Sequence, residues 1–174
     1  MTKNASRIAS FPPVAAQGAR ILILGSMPGE ASLKAGQYYA HPRNAFWPIM
    51  GELCACDATA PYQQRVEALQ SNGIAIWDVL KSCRRAGSLD SAIESGTTAV
   101  NDFETFFDSH PRITSVLFNG AAAERCYRQQ VLFKVEYLPL AYTRLPSTSP
   151  AHASLSIARK AKLWHAAMKS LLDH

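Results

Sequence analysis

Short apolar runs alternate along the chain with longer segments in which apolar side chains recur every three or four residues. The short runs are rich in β-branched residues and predict buried strands of a parallel sheet, whereas the longer segments predict amphipathic helices. The predicted strands are Arg20–Leu24, Ile74–Trp77 and Ile113–Phe118, with a weaker strand or extended piece at Val135–Leu138. The predicted helices are residues 45–53, 61–73, 88–95, 101–109 and 121–130, and a last one that begins near Ser154. Asn44 and Asn101 are the expected N-caps of two of them.

This alternation predicts an α/β fold, namely a three-layer α/β/α sandwich around a central, mostly parallel four-stranded sheet. We expect a single domain over residues 1–174, in which residues 1–18 form an extended lead-in containing Pro12, Pro13 and Gly18. Ligands of such sheets bind beyond the carboxyl ends of the strands. The loops 25–44, 78–87 and 145–153 are therefore predicted to converge on one site.

Composition and charge limit the kinds of partner and the cellular environment that the sequence predicts. The formal net charge is +5 and the sequence pI is about 9.2, which suits either an anionic partner such as nucleic acid or an ordinary basic protein. No apolar run has the length of a membrane span, so we expect no membrane association. The spacing of the four cysteines does not match a zinc or iron–sulfur site, which favours free thiols, no metal and a cytoplasmic location. Because nothing in the sequence indicates a cofactor or an oligomer, we expect a cofactor-free monomer.

The segment Gly25–Trp47 has the sequence GSMPGEASLKAGQYYAHPRNAFW and carries the most distinctive chemistry. Gly25 and Gly29 allow the backbone to approach a ligand closely, and Pro28 fixes the turn between them. The tyrosines, the polar residues and the following helix start indicate a pocket for a flat ligand. A proline-rich loop with core aromatics is the alternative interpretation.

This segment resembles motif one of the uracil-DNA glycosylase superfamily. It is similar to the mismatch-specific branch, which has G-x-N-P-G and then F-A-x-P-x-N-x-F-W, and more similar to the hypoxanthine-DNA glycosylase branch, which has G-S-M-P-G and Q-Y-Y-A-x-P-x-N-x-F-W. The segment Leu145–His152, LPSTSPAH, stands where the superfamily has an H-P-S or N-P-S loop before the last helix. The resemblance implies a monofunctional glycosylase that acts on double-stranded DNA containing a deaminated base. The reaction that the resemblance most favours is release of hypoxanthine from deoxyinosine.

The resemblance also implies roles for individual residues. Asn44 would place the attacking water, although a helix N-cap is the alternative for this residue. Tyr39 would stack on the flipped base, and the alternative for this residue is packing in the core or the loop. Asp78 would bind the edge of the base, and the alternatives for it are a helix N-cap or a surface ion pair. The other expected residues of the base pocket are Gly25, Ser26, Met27, Pro28 and Phe46. The residues expected to contact the DNA backbone or to fill the space left by the base are Gly29, Ser147, Thr148, Ser149 and His152.

Two positions depart from the family pattern. Met27 stands where many relatives have an asparagine or aspartate that positions or activates water, and a thioether can do neither. Leu145 stands where the classical uracil enzymes have a histidine, so strong uracil excision is less expected. A uracil or mismatch-specific glycosylase and a catalytically silent binder of damaged DNA are the alternative functions.

Overall fold

The computed structural model describes residues 5–173, so residues 1–4 of the predicted lead-in lie outside the described residues. The strands are β1 (Arg7–Ala9), β2 (Ile21–Gly25), β3 (Ile74–Asp78), β4 (Leu80–Arg84), β5 (Ala99–Val100), β6 (Ser115–Asn119) and β7 (Ala141–Leu145). The helices are α1 (Glu30–Ala35), α2 (Phe46–Leu53), α3 (Tyr62–Ser71), α4 (Phe103–Ser109), α5 (Ala121–Gln130), α6 (Leu132–Val135) and α7 (Ile157–Leu172). No helix among these residues is both long enough and apolar enough to cross a membrane.

The central sheet has the strand order β3-β2-β6-β7, and all four strands run parallel. Every residue of β2, β3 and β6 is buried, which agrees with the continuous apolar runs that predicted these strands. The edge strand β7 is mostly open to solvent, and only its last residue, Leu145, is buried. The strand ends Gly25 and Asp78 are paired neighbours in the register, and so are Asn119 and Leu145.

The connections from β2 and from β6 run towards opposite edges of this sheet, and the right-handed crossovers that parallel strands require would then place helices on both of its faces. The connection from β2 to β3 contains α2 and α3, and the connection from β6 to β7 contains α5 and α6. The contacts agree with this division, since α2 packs against α3 and α7 whereas α6 packs against α4 and α5. Phe46 of α2 meets Trp164 of α7 edge to face, with ring centroids 6.5 Å apart. The predicted α/β/α sandwich is confirmed.

A second, antiparallel sheet with the order β1-β4-β5 was not predicted. Its strand β4 occupies much of the predicted loop 78–87, so that loop prediction is wrong. The exposed side chains of Lys81 and Arg84 explain the error, because they interrupt the apolar pattern of β4. On the amino-terminal side, β1 belongs to this sheet and Val14 forms an antiparallel bridge with Ile76 at the free edge of β3. The lead-in therefore packs along both sheets.

Several other local predictions differ from the structure. The fourth central strand is β7 rather than Val135–Leu138, because an edge strand with one solvated face has no continuous apolar run. The predicted helix 88–95 is reduced to a 3-10 turn at Asp90–Ala92, and the loop 25–44 contains the short helix α1. The N-cap of α4 is Asp102, which accepts a hydrogen bond from the Thr105 amide at 3.1 Å, whereas the Asn101 side chain donates to the Asp78 carbonyl at 2.8 Å.

Candidate active site

A cavity of about 570 Å³ lies beyond the carboxyl ends of the central strands, where sheets of this kind bind ligands. Its size falls in the range of about 300–1,000 Å³ that is common for small-molecule sites. The predicted site residues that line it are Gly25, Ser26, Met27, Pro28, Gly29, Tyr39, Asn44, Asp78, Ser147, Thr148 and Ser149. Two others do not line it, namely Phe46, which is completely buried, and His152, whose ring lies 3.3 Å from the Ser154 hydroxyl.

Tyr39 forms an aromatic shelf in the cavity. Its ring stacks on Phe46, with centroids 3.9 Å apart and an angle of 21° between the planes. The Tyr39 backbone has a φ of 54°, an uncommon conformation for a residue with a side chain. The preceding residue is held in place because the Trp47 indole donates to the Tyr38 carbonyl at 2.9 Å. Phe46 therefore supports Tyr39 from behind, and Tyr39 lines the cavity together with Tyr38.

Asp78 is a buried carboxyl group in the wall of the cavity. Its side chain is 4% exposed, and one of its oxygens is buried without a hydrogen-bond partner among the described residues. Burial, and to a smaller extent the negative charge of Asp90, raise the pKa of Asp78 to about 7 against the opposing effect of Arg85. Within residues 5–173 Asp78 neither caps a helix nor forms an ion pair, so both alternatives to a ligand-binding role lose support.

Gly25 brings the Asp78 carboxyl and the Tyr39 hydroxyl together. A Cβ atom on Gly25 would lie 2.6 Å from Asp78 Oδ1 and 3.3 Å from the Tyr39 hydroxyl, so a side chain here would displace both groups. The Tyr39 hydroxyl is also buried without a well-aligned hydrogen-bond partner in the described part of the chain, and its pKa is raised by burial and then by the charge of Asp78, against the opposing effect of the nearby Asn119 side chain. Buried polar groups normally have hydrogen-bond partners, so this pair indicates a polar ligand at this point.

Asn44 caps the helix that follows the shelf. Its side-chain oxygen accepts a hydrogen bond from the Phe46 amide at 2.9 Å, which supports the N-cap interpretation, although the boundary residue by backbone geometry is Ala45. Asn44 also lines the cavity, and an amide oxygen has a second lone pair that can accept a hydrogen bond from water. Capping and water placement are therefore compatible at this residue.

Met27 belongs to an apolar cluster at one side of the cavity. It is 7% exposed and packs with Leu80 and Cys83 of β4. Many relatives have a polar side chain at this position. In this chain Met27 packs against the second sheet instead, and its thioether has no group that could activate water.

The 145–153 loop is fixed by hydrogen bonds to three residues outside it. The Thr148 amide donates to the Asn119 side-chain oxygen at 2.9 Å, and the Asn119 side-chain nitrogen donates to the Thr148 hydroxyl at 3.0 Å. From α7, the Lys160 ammonium donates to the Ser149 carbonyl at 3.0 Å and the Trp164 indole donates to the Pro146 carbonyl at 2.9 Å. Lys160 is 3% exposed, which the helical pattern did not predict, because its position is outside the apolar stripe of α7. Thr148 is 1% exposed and committed to Asn119, so it is poorly placed to contact a DNA phosphate.

Two parts of the cavity wall were missed by the sequence reasoning. Asn119 ends β6 as Asp78 ends β3, so the strand-end rule that pointed to Asp78 applies to it as well. The segment 88–90 carried no signal, since it was predicted to be helical. Its residues bond to the first loop, because Ser88 accepts from the Glu30 amide at 2.9 Å and Asp90 accepts from the Ser26 hydroxyl at 2.6 Å.

Metal ligands do not cluster at this site. Within residues 5–173 no group of three or more His, Cys, Asp or Glu side chains is arranged to hold a metal ion. The cysteines at positions 54, 56, 83 and 126 are free thiols.

Comparison with known proteins gives consistent results. The uracil DNA glycosylase superfamily model matches residues 12–169. A hypoxanthine DNA glycosylase of Methanosarcina barkeri (strain Fusaro) is 43% identical over 111 residues, which are 63% of this chain and 69% of that protein. A hypoxanthine DNA glycosylase of Methanosarcina acetivorans is 34% identical over 166 residues, which are 91% and 96% of the two chains. A solution NMR structure of a candidate uracil DNA glycosylase from Methanosarcina acetivorans superposes with a TM-score of 0.80 at 31% identity, covering 97% of this chain and 100% of that one.

Proposed function

Because the chain belongs to the uracil DNA glycosylase superfamily, we propose that it removes hypoxanthine from deoxyinosine in double-stranded DNA and leaves an abasic site. The chain is a DNA glycosylase, and the two Methanosarcina proteins described above carry the name hypoxanthine DNA glycosylase. The observation that carries the choice of base is the unpartnered, buried carboxyl of Asp78 beside the Tyr39 shelf. It supports a substrate with a flat ring and a ring N–H.

The Asp78 carboxyl suits a deaminated purine better than adenine. Hypoxanthine has a hydrogen on N1, whereas adenine has a lone pair there, and the ionised carboxylate of Asp78 accepts a hydrogen bond from the first and repels the second. A site built around such a hydrogen bond discriminates strongly, because the wrong base leaves a buried polar group unpaired. Asp78 would therefore protect normal adenine while it selects its deamination product.

Base flipping brings the lesion into the cavity. The enzyme must unstack the nucleotide, which costs a few kcal/mol, and hold the base in the pocket. Stacking on Tyr39 would offset about 1–3 kcal/mol of that cost. Ser147 and Ser149 line the cavity, and their hydroxyls, which accept from the amides of Ser149 and Ala151, can still donate hydrogen bonds to phosphate oxygens. Their loop is held by α7 and Asn119, so it would bind the backbone without reordering.

Hydrolysis needs a water molecule near the sugar carbon. Asn44 is the residue we assign to this task, because Met27 has no group that can orient water and because Asn44 lines the cavity with its oxygen already fixed by the Phe46 amide. None of the described residues that line the cavity is a lysine, so the proposed reaction is simple hydrolysis without a Schiff base or strand cleavage. We expect the protein to act as a monomer.

The test uses duplex oligonucleotides that contain one inosine, uracil or xanthine, followed by alkaline cleavage of abasic sites. We expect product from inosine, and a loss of at least tenfold in rate, or about 1.4 kcal/mol, for Asp78→Ala. Asp108→Ala, which removes an exposed carboxylate on α4, is the matched control and should leave the rate unchanged. Product from uracil alone would move the proposal to a uracil enzyme, and tight binding without product would indicate a silent binder of damaged DNA.

A further inference from the structure

We propose that Leu89 is the apolar wedge that enters the DNA base stack when the lesion is flipped into the cavity. This inference rests on the base flipping of the proposed function and adds to it the residue that fills the space left by the base. Leu89 lies in the segment 86–92, which is outside both sequence motifs and has no task in the proposed reaction so far.

A flipped base leaves a gap in the duplex that the neighbouring bases tend to close. Proteins that hold such a gap open frequently insert an apolar side chain such as leucine, isoleucine or phenylalanine. The residues expected from the sequence to fill the gap or contact the backbone include no large apolar side chain. Among them, Thr148 is 1% exposed and His152 does not line the cavity. Ala151 in the same loop lines the cavity but offers only a methyl group, so the wedge is expected from another segment.

Leu89 is the large apolar side chain that the structure presents at the cavity rim. The large apolar side chains that are exposed among the described residues are Leu89, Phe133, Tyr137, Ile157 and Leu163. Of these, Leu89 alone lines the cavity, and it is 55% exposed. Single exposed apolar residues are common on protein surfaces, so exposure by itself assigns no role. The combination of exposure with a place in the cavity wall is what selects Leu89.

The segment that carries Leu89 is a loop closed at its base. Arg85 and Ile93 form an antiparallel bridge, and Leu89 lies midway between them in the chain, four positions from each. Ile93 packs against the cluster of Met27, Leu80 and Cys83, which fixes this end of the loop to the second sheet. The middle of the loop therefore presents an apolar side chain from a base that is itself packed.

Both chain neighbours of Leu89 are tied to the first motif. On one side, the Ser88 hydroxyl oxygen accepts from the Glu30 amide at 2.9 Å. On the other side, Asp90 Oδ1 accepts from the Ser26 hydroxyl at 2.6 Å. Leu89 is therefore held at a defined place beside the pocket while its own side chain stays open to solvent. A group that is already positioned loses less conformational entropy when it binds, which favours insertion into the stack.

Arg85 adds a third connection between this loop and the first motif. Its side chain is 3% exposed, its Nε donates to the Gly87 carbonyl at 2.8 Å, and its Nη2 donates to the Pro28 carbonyl. One guanidinium thus bonds to a carbonyl of each segment. The position of Leu89 relative to the base pocket is therefore fixed through the base of its loop as well as through its neighbours.

The charges beside Leu89 favour contact with bases over contact with phosphates. Glu30 and Asp90, which flank it at the cavity, would repel a phosphate group. The uncharged leucine has no such conflict, because the space between two base planes contains no phosphate. Arg43, which also lines the cavity, belongs to a different segment. We therefore expect Leu89 to contribute to flipping and not to binding of the DNA backbone.

Excision from paired and unpaired lesions tests the wedge. Single-turnover assays compare an inosine duplex with the inosine-containing single strand alone. Leu89→Ala should lose at least about tenfold in rate on the duplex, or about 1.4 kcal/mol, but stay within about twofold on the single strand, where no duplex gap has to be filled. Leu89→Met keeps the apolar bulk and should stay within about threefold of wild type on the duplex. Leu89→Asn has similar size without the apolar character and should lose as much as Leu89→Ala.

Leu163→Ala is the matched control, because it makes the same change at an exposed leucine of α7 that does not line the cavity. Both of its rates should equal those of wild type. Because Leu89 is exposed, its replacement should leave the thermal unfolding curve unchanged, so a loss of rate would not reflect a loss of fold.

A 2-aminopurine beside the lesion in the duplex reports insertion without depending on excision. Its fluorescence is quenched in the base stack and rises when a neighbouring step opens. Binding of wild type and of Leu163→Ala should raise this signal, and Leu89→Ala should lose at least about half of the rise. Where wild type acts on duplex only, this measurement decides.

Equal losses of Leu89→Ala on duplex and single strand would overturn the inference, because they would make Leu89 a wall of the base pocket instead of a wedge. A full fluorescence rise in Leu89→Ala would overturn it as well, whatever the duplex rate. Wild-type release of uracil without release of hypoxanthine would instead contradict the proposed choice of base. In that case the same comparison on uracil duplex and single strand still decides the role of Leu89.

Discussion

Replacement of Asp78 by asparagine is expected to stabilise the fold at alkaline pH and to have little effect at acid pH. The side chain is 4% exposed, and burial raises its pKa from 3.8 to about 7. A buried carboxyl with a raised pKa holds its proton in the folded protein over a range in which the unfolded chain has already released it. The folded state then binds more protons than the unfolded state, so stability falls as pH rises from about 4 to about 7.

The size of the effect follows from that pKa. A rise from 3.8 to about 7 corresponds to about 4 kcal/mol of lost stability above pH 7, of which about 3 kcal/mol falls between pH 5 and pH 8. Asparagine has nearly the same shape and does not titrate, so its free energy of unfolding lacks this dependence. The advantage of Asp78→Asn over wild type should therefore grow by about 3 kcal/mol from pH 5 to pH 8. In a chain of this size each kcal/mol shifts Tm by about 2–4 °C.

Urea unfolding followed by circular dichroism at pH 5 and pH 8 measures this difference. Asp108→Asn provides the matched control, because it removes an exposed carboxylate from α4 and should show no such growth. Equal stability differences at the two pH values would refute the reasoning, since they would show that Asp78 titrates in the folded protein as it does in the unfolded chain.

Three further substitutions test other contacts of the site. Gly25→Ala should lower the excision rate at least tenfold in a protein that still folds by circular dichroism, because the new Cβ would lie 2.6 Å from Asp78 Oδ1. Lys160→Met should weaken DNA binding in fluorescence anisotropy and cost about 1–3 kcal/mol in urea unfolding, because the Ser149 carbonyl loses its donor. Asn44→Ala should cost about 1 kcal/mol as a lost cap and, in addition, at least tenfold in single-turnover rate. A normal rate would leave Asn44 as a cap only.

The sequence predicted the fold where burial is continuous and failed where it is one-sided. β2, β3 and β6 are covered on both faces, so their apolar runs are unbroken. β4 and β7 each expose part of their length, and polar side chains such as Lys81 and Arg144 mask their strand pattern. The helix predicted at 88–95 is reduced to one 3-10 turn, because Leu89 is 55% exposed while Ile93 packs against the Met27 cluster, so the two apolar side chains do not share a buried helical face.

The candidate site shows the same division between local and long-range information. Tyr39 and Asp78 were identified because one lies in a recognisable motif and the other at a strand end. Asp90 was not, because its place in the wall depends on a hydrogen bond to Ser26, 64 positions earlier in the chain. Likewise, Lys160 is buried by a contact with the Ser149 carbonyl that no helical periodicity encodes.

Thr148 explains why the two motifs act together. Its carbonyl accepts a hydrogen bond from the Ala45 amide at 3.0 Å, directly after Asn44, while its own amide and hydroxyl bond to Asn119 at the end of β6. The residue we assign to water placement and the loop we assign to the DNA backbone are thus joined through one buried threonine and one strand end. A shift of either segment would therefore displace the other. Binding of the DNA backbone would then also align the attacking water. For this reason Thr148→Val, which keeps the shape but removes the hydroxyl contact, should lower the single-turnover rate as well as DNA affinity, and a loss confined to affinity would show that the motifs are independent.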